Sequence, residues 1–131
     1  MRTRFGVVSI AVLMLSTSAP ADGHHSATAE FDRAKPVTIT GPVTKIDWLN
    51  PHVIFYVDAT EDGGTIANWS WELPSPNQLM RAGWMRTSMK LGDVVTVEGI
   101  SARDGTSHGM AMVVTLASSG KRLFEGQAEA R

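Results

Sequence analysis

The chain has 131 residues, with 12 Lys+Arg against 13 Asp+Glu, 43% hydrophobic residues and no Cys. That length admits one domain and excludes a two-domain enzyme, and the missing Cys excludes disulfide scaffolds, thiolate-bound zinc, iron–sulfur clusters and thiol catalysis. A formal net charge of −1 argues against a nucleic-acid surface, which needs a basic excess to neutralise phosphates.

In chain order, Arg2 and Arg4 precede an apolar run from Phe5 to Leu15, and Ser16 to Ala21 supplies small residues. This is the three-part layout of a secretory signal, too short and too uniformly apolar for a bilayer span or a half-exposed core helix. Ala19 and Ala21 fit cleavage after Ala21, so residues 1–21 are expected to be a signal peptide and the protein to be periplasmic or secreted. Thr3 separates the two Arg, so the general export route is expected rather than the twin-arginine one. Cleavage leaves 110 of the 131 residues, with ten basic against 13 acidic side chains once Arg2 and Arg4 are gone. No Cys follows to carry a lipid, and no second apolar run of spanning length exists, so no transmembrane segment is expected after cleavage.

Residues 22–36 read as an N-terminal arm, 37–125 as a β domain and 126–131 as a disordered tail. Within the domain, Val37, Ile39, Gly41 and Val43 share one parity before the apolar positions move to Ile46 and Trp48. The first strand should therefore change face between Gly41 and Lys45 through a bulge or bend. After Asn50-Pro51, residues His52 to Asp58 alternate, with Val53, Phe55 and Val57 on one face. Glu61-Asp62-Gly63-Gly64 is a turn, and Thr65 to Leu73 alternates again, placing Ala67, Trp69, Trp71 and Leu73 together. A hairpin closed over residues 60–64 pairs positions whose numbers sum to about 124, which sets Val53 against Trp71, Phe55 against Trp69 and, on the other face, His52 against Glu72.

Ser75 then caps a short helix with Pro76 at its first position and Gly83 as its stop. Trp84 is expected over the core. Val94 to Ile100 and Met110 to Leu116 are the last strands, joined through Arg103-Asp104-Gly105. Three strands, a helix and two strands, with the first strand long and bent, is the element order of an OB-fold, a five-stranded partly open barrel with one short helix between strands three and four. A plain antiparallel sandwich is the alternative.

No G-x-S-x-G, H-E-x-x-H, Walker loop or dinucleotide fingerprint is present and no nucleophile–base arrangement is legible, so no enzyme is expected; a hydrolase or oxidoreductase would need His52, Glu72 and another His to converge in a pocket. The chemistry rests on four His. If export exposes Asp22-Gly23-His24, a terminal amine, two amides and the His24 imidazole form the square-planar chelate that Cu(II) and Ni(II) prefer; otherwise His24 and His25 belong to a polar arm. His52 opposite Glu72 reads either as a ligand with its orienting carboxylate or as a surface hydrogen bond after a Pro turn. If His24 or His25 folds back onto His52 and Glu72, the result is a two-His, one-carboxylate metal site. His108, Met110 and Met112 share one side of a strand and fit a Cu(I) thioether site, although Val114 and Leu116 continue that parity and favour Met110 and Met112 as core.

His24-His25-Ser26, Phe31-Asp32, Pro36-Val37, Gly41-Pro42-Val43, Trp48-Leu49-Asn50-Pro51-His52, Trp71-Glu72, Leu79, Gly83-Trp84, Gly92-Asp93 and Arg103-Asp104-Gly105 together resemble a family of small exported bacterial proteins, domain of unknown function family 6152. The resemblance covers nearly all of the mature chain. It implies a signal peptide and a compact β domain, and brings no established activity, ligand or catalytic residue. In that family the His pair often follows the cleavage site directly, whereas here Asp22-Gly23 intervene.

The expected function is binding of a transition metal, copper foremost, through His24, His25 and His52 with Glu72. The alternative is a metal-free periplasmic module whose OB-like face takes a peptide, glycan or membrane-protein partner; its sign is an exposed apolar patch without convergent His.

Overall fold

The longest element sets the architecture. In the computed structural model, which describes residues 26–126, strand β1 (Phe31–Asp47) is long enough to belong to two halves of one sheet. Its first part pairs antiparallel with β4 (Val94–Ala102), from Phe31↔Ala102 to Pro42↔Val94. Its last part pairs antiparallel with β2 (Ile54–Thr60), from Val43↔Val57 to Asp47↔Ile54. The register shifts between Val43 and Lys45, the bulge expected where the apolar parity changes face. The extra residue, Thr44, lets one strand turn from one neighbour to the other.

β2 pairs with β3 (Ile66–Glu72), and β4 pairs with β5 (His108–Leu116), both antiparallel. A parallel pairing of β3 with β5, Ser70↔His108 through Glu72↔Met110, closes β1-β2-β3-β5-β4 into a ring. A sixth strand, β6 (Arg122–Glu125), lies beyond the five expected; it pairs with the far half of β5 at Val113↔Glu125 and Val114↔Phe124. The protein is thus mainly β, with two short helices among the described residues, α1 (Ser26–Glu30) and α2 (Pro76–Arg81). β1 starts at Phe31, so residues 31–36 of the expected arm are strand. Gly126, at the head of the expected tail, donates its N–H to the Met112 carbonyl at 2.7 Å; residues 1–25 and 127–131, on which the expected signal segment falls, lie outside the described residues.

α2 forms as its sequence predicts. The Ser75 hydroxyl accepts from the Gln78 N–H while the Gln78 side chain returns to the Ser75 N–H, a capping box, and Pro76 occupies the first turn where its missing donor is harmless. Gly83 ends it at φ 89°, a conformation that favours glycine.

The β2–β3 hairpin differs from expectation in register. Phe55 faces Trp71 and Val57 faces Trp69, two residues on from the predicted partners. The cause is the turn: Glu61 N–H donates to the Thr65 carbonyl at 2.8 Å, and Gly63 and Gly64 both take positive φ, so the hairpin centres on Gly63. A two-residue slip preserves parity, so the predicted faces survive although the predicted pairs do not.

The core lies inside the ring. Val43, Val53, Phe55, Val57, Trp71, Leu73, Val95, Val97, Ala111 and Val114 point inward, and Leu79, Trp84 and Met89 from α2 and the following loop join the same cluster. Burying each of the larger side chains contributes about 1.5–3 kcal/mol. Trp71, fully buried, sits against two glycines: a Cβ at Gly109 would stand 2.5 Å from its ring, and one at Gly99 2.7 Å. Met110 and Met112 are half-buried and outside the core cluster, contrary to the core reading. The β4–β5 register skips Met112 between Glu98↔Val113 and Gly99↔Ala111, so the inward parity passes from Gly109 and Ala111 to Val114.

Candidate metal centre

The site grows from the outward parity of β3. With Trp69 and Trp71 turned inward, Ser70 and Glu72 face out. The parallel seam with β5 then sets His108 beside Ser70 and Met110 beside Glu72. The Ser70 hydroxyl and His108 Nδ1 lie 2.7 Å apart. His108 Nε2, at the other end of the ring, is 3.8 Å from Glu72 Oε2 and 3.2 Å from Glu30 Oε1.

Glu30 arrives from α1, the last residue before β1. Arg103 ties that segment down: its Nε donates to the Thr28 carbonyl at 3.1 Å, its backbone N–H donates to the Glu30 carbonyl at 2.8 Å, and its guanidinium is 3.9 Å from the Asp32 carboxylate. Phe31 next door is buried, and its ring packs on the His108 imidazole with centroids 5.3 Å apart. The Phe31 contact fixes the face of the imidazole, while Ser70 fixes its edge.

His52 completes the group from the other side. It precedes β2, after a cis Asn50–Pro51 bond, and Nε2 reaches Glu72 Oε1 at 3.4 Å. Its Nδ1 lies 3.2 Å from the Leu73 carbonyl. A carbonyl only accepts, so Nδ1–H is the donor, and in the neutral ring Nε2 presents a lone pair to the Glu72 carboxylate. Glu72 therefore shows one oxygen to each imidazole. Two acceptors facing each other are satisfied by a proton or a cation between them.

Glu72 is mostly buried, with 18% of its side chain exposed. That desolvation raises its carboxyl above the ordinary value, against the pull of His52 and, more weakly, His108, while Glu30 pushes it further up.

Glu30, Glu72 and His108 each offer a ligand atom, all within 4.8 Å of one another. Tetrahedral bonds near 2.1 Å require ligand atoms about 3.4 Å apart, so the 3.2 Å and 3.8 Å separations at His108 are close to what one ion needs. The donor set of carboxylates and imidazole fits a borderline divalent transition metal.

Of the residues singled out in the sequence, the structure brings His52, Glu72 and His108 together. Asp22, Gly23, His24 and His25 lie outside the described residues. Met110 and Met112 share the β5 face with His108, but the described partners of that imidazole are Ser70, Phe31 and the two carboxylates. Glu30 and Ser70 were not anticipated. Ser70 shares the outward parity of Glu72, which was readable; its contact with His108 depends on the β3–β5 seam, which leaves no local mark. Glu30 carries no sequence signal, since its position depends on how Arg103 holds α1.

A ring of strands carrying a His–carboxylate cluster on its outer face defines a small β protein with the donor set of a metal-binding site. The chain matches the sequence profile described as a family of unknown function, DUF6152, over residues 11–112, and it belongs to that family. The matched span contains Glu30, His52, Ser70, Glu72 and His108. No curated protein and no solved structure matches it.

Proposed function

We propose that this protein is an exported binding protein for a divalent transition metal, Cu(II) foremost, rather than an enzyme. The ion is held by His108, Glu72 and Glu30, with His52 orienting Glu72 through its other oxygen. The observation that carries this reading is the convergence of three ligand atoms from α1, β3 and β5 within 4.8 Å. For a fixed set of nitrogen and oxygen donors, Cu(II) binds most tightly among the first-row divalent ions. A Cu(I) site built on His108, Met110 and Met112 is disfavoured, because His108 is engaged by carboxylates.

The fold reading is OB-like: the ring order β1-β2-β3-β5-β4, with a helix between β3 and β4, supports a partly open barrel of that type. Export rests on the layout of residues 1–21, and His24 and His25, which precede α1 in the sequence, are kept as further candidate donors. A terminal Asp22-Gly23-His24 chelate for copper or nickel is a second, separable binding mode. A metal-free module for a peptide, glycan or membrane-protein partner is ranked lower, because His108, Glu72 and Glu30 do converge.

The test is calorimetric titration of the purified chain with Cu²⁺ and Zn²⁺, with bound metal counted by elemental analysis and the terminus read from intact mass. In the His24→Ala, His25→Ala background, which removes the terminal chelate, about one tight Cu(II) per chain is expected, and it is lost when His108→Ala is added. Unchanged stoichiometry and affinity on adding His108→Ala would sink the proposal.

A further inference from the structure

Among the described residues, five of the six large hydrophobic side chains that stand exposed belong to two stretches: Leu49 after β1, and Met80, Met85, Leu91 and Val94 on the segment that runs from α2 to the first residue of β4; Ile66 is the other. Scattered exposed apolar residues are ordinary; clustering at one end of a small domain is not. The backbone brings the stretches together. Val43 N–H donates to the Asp93 carbonyl and Gly92 N–H to the Val43 carbonyl, each at 2.8 Å, which lays the loop along the end of β1. Between them runs a groove of about 490 Å³ whose walls include Lys45, Trp48, Arg86, Lys90 and Leu91.

The charge there is opposite to that of the chain. Residues 80–94 carry Arg81, Arg86 and Lys90 against a single carboxylate, Asp93, whereas the chain as a whole is at −1. The Asp93 carboxylate accepts from the Lys90 backbone N–H at 2.9 Å. Lys45 is held by Asp47 at 3.0 Å, but Arg86 and Lys90 form no ion pair with any described carboxylate.

We infer that this end of the ring docks on an anionic lipid surface, with Leu49, Met85 and Leu91 entering the headgroup boundary and Arg86 and Lys90 meeting lipid phosphates. The apolar side chains project outward, Leu91 with 66% and Leu49 with 63% of its surface exposed. Projecting apolar side chains flanked by the cations Arg86 and Lys90 suit a fluid anionic boundary that moulds around them. Trp48, half-buried in the groove, is the residue type that favours the interfacial zone. Among the described residues no helix is long and apolar enough to cross a membrane, so attachment would be peripheral. The inference is independent of the metal proposal, since none of these residues belongs to the cluster around Glu72.

The test is co-sedimentation of the purified chain with vesicles of phosphatidylcholine alone or with 30% phosphatidylglycerol, at 50 and 500 mM salt. Binding to the mixed vesicles at low salt, little to pure phosphatidylcholine and loss at high salt are expected, because surface charge attraction is screened. The Arg86→Glu, Lys90→Glu double variant should lose at least tenfold in partitioning, and Leu49→Ser with Leu91→Ser a comparable amount, with circular dichroism checking that each stays folded. Equal binding to both vesicle types, no binding at low salt, or full binding by the charge-reversed variant overturns the inference. So does capture of soluble poly-glutamate with no vesicle binding, which would assign the face to an acidic polypeptide.

Discussion

His52 and Glu72 meet on the diagonal of the β2–β3 hairpin, with Nε2 and Oε1 3.4 Å apart, although they are not register partners. The direct partner of Glu72 is Ile54. A diagonal reach of this kind is within the range of long side chains on one face of an antiparallel pair, and it leaves the second oxygen of Glu72 free to face His108 at 3.8 Å.

Glu72 is therefore the residue on which both imidazoles depend. Glu72→Gln keeps the shape and removes the charge, so metal affinity is expected to fall by 100-fold or more while the metal-free protein stays folded. Calorimetric titration paired with a thermal melt of the metal-free chain separates the two effects. A variant that binds as tightly as the unaltered chain contradicts the role given to Glu72.

The same residue predicts a pH dependence of the metal-free fold. Burial raises the Glu72 carboxyl above its ordinary 4.5 in the folded chain. A group whose folded value is raised contributes stability that is fully present below the unfolded value and is lost as pH rises through the folded one. Relative to Glu72→Gln, the metal-free protein should thus be most stable near pH 4 and lose ground toward neutrality. Melting temperatures of both chains from pH 4 to 7.5 test this; a difference that is flat, or that grows with pH, contradicts it. Metal affinity should run the opposite way, weakening on acidification as protons compete with the ion for the Glu72 carboxylate.

What the sequence discloses about this fold is what is local. The β2 and β3 faces follow from alternation, α2 from its Ser75 cap and Gly83 stop, and the β1 bulge from the parity change around Val43. What is hidden depends on contacts distant in sequence or on turn geometry. Gly63 and Gly64 moved the hairpin centre, Met112 put β5 out of step with its own alternation, and β6 was too short to register. The site divides in the same way. His52 near Glu72 was legible because a hairpin joins them, whereas His108, Ser70 and Glu30 converge only through the β3–β5 seam and the Arg103 anchor.

Gly109 tests that seam directly. A methyl group there would meet the Trp71 ring at 2.5 Å and the Ile100 carbonyl oxygen at 3.0 Å. Trp71 is enclosed on all sides and cannot yield, so Gly109→Ala should destabilise the fold by about 1–3 kcal/mol, as overpacked cores do. Urea denaturation followed by Trp fluorescence gives the value; a change within about 0.5 kcal/mol would mean that β3 and β5 are not so closely apposed.

Ser70 separates a role in metal binding from one in structure alone. His108 Nε2 can take a metal only if the remaining proton sits on Nδ1, and that N–H needs an acceptor, which the Ser70 hydroxyl supplies at 2.7 Å. Without metal the hydroxyl can reverse and donate to Nδ1, freeing Nε2–H to donate to Glu30 at 3.2 Å. A hydroxyl serves both tautomers, whereas the Leu73 carbonyl holds His52 in one. Removing an outer hydrogen-bond partner of this kind weakens metal binding by about 10–100-fold. Ser70→Ala should do so, Ser70→Thr should restore much of the affinity, and ¹⁵N spectra of the imidazoles should show the His108 tautomer altered in Ser70→Ala and the His52 tautomer unchanged. Equal affinity in all three chains with an unshifted His108 spectrum would leave Ser70 as a packing residue only.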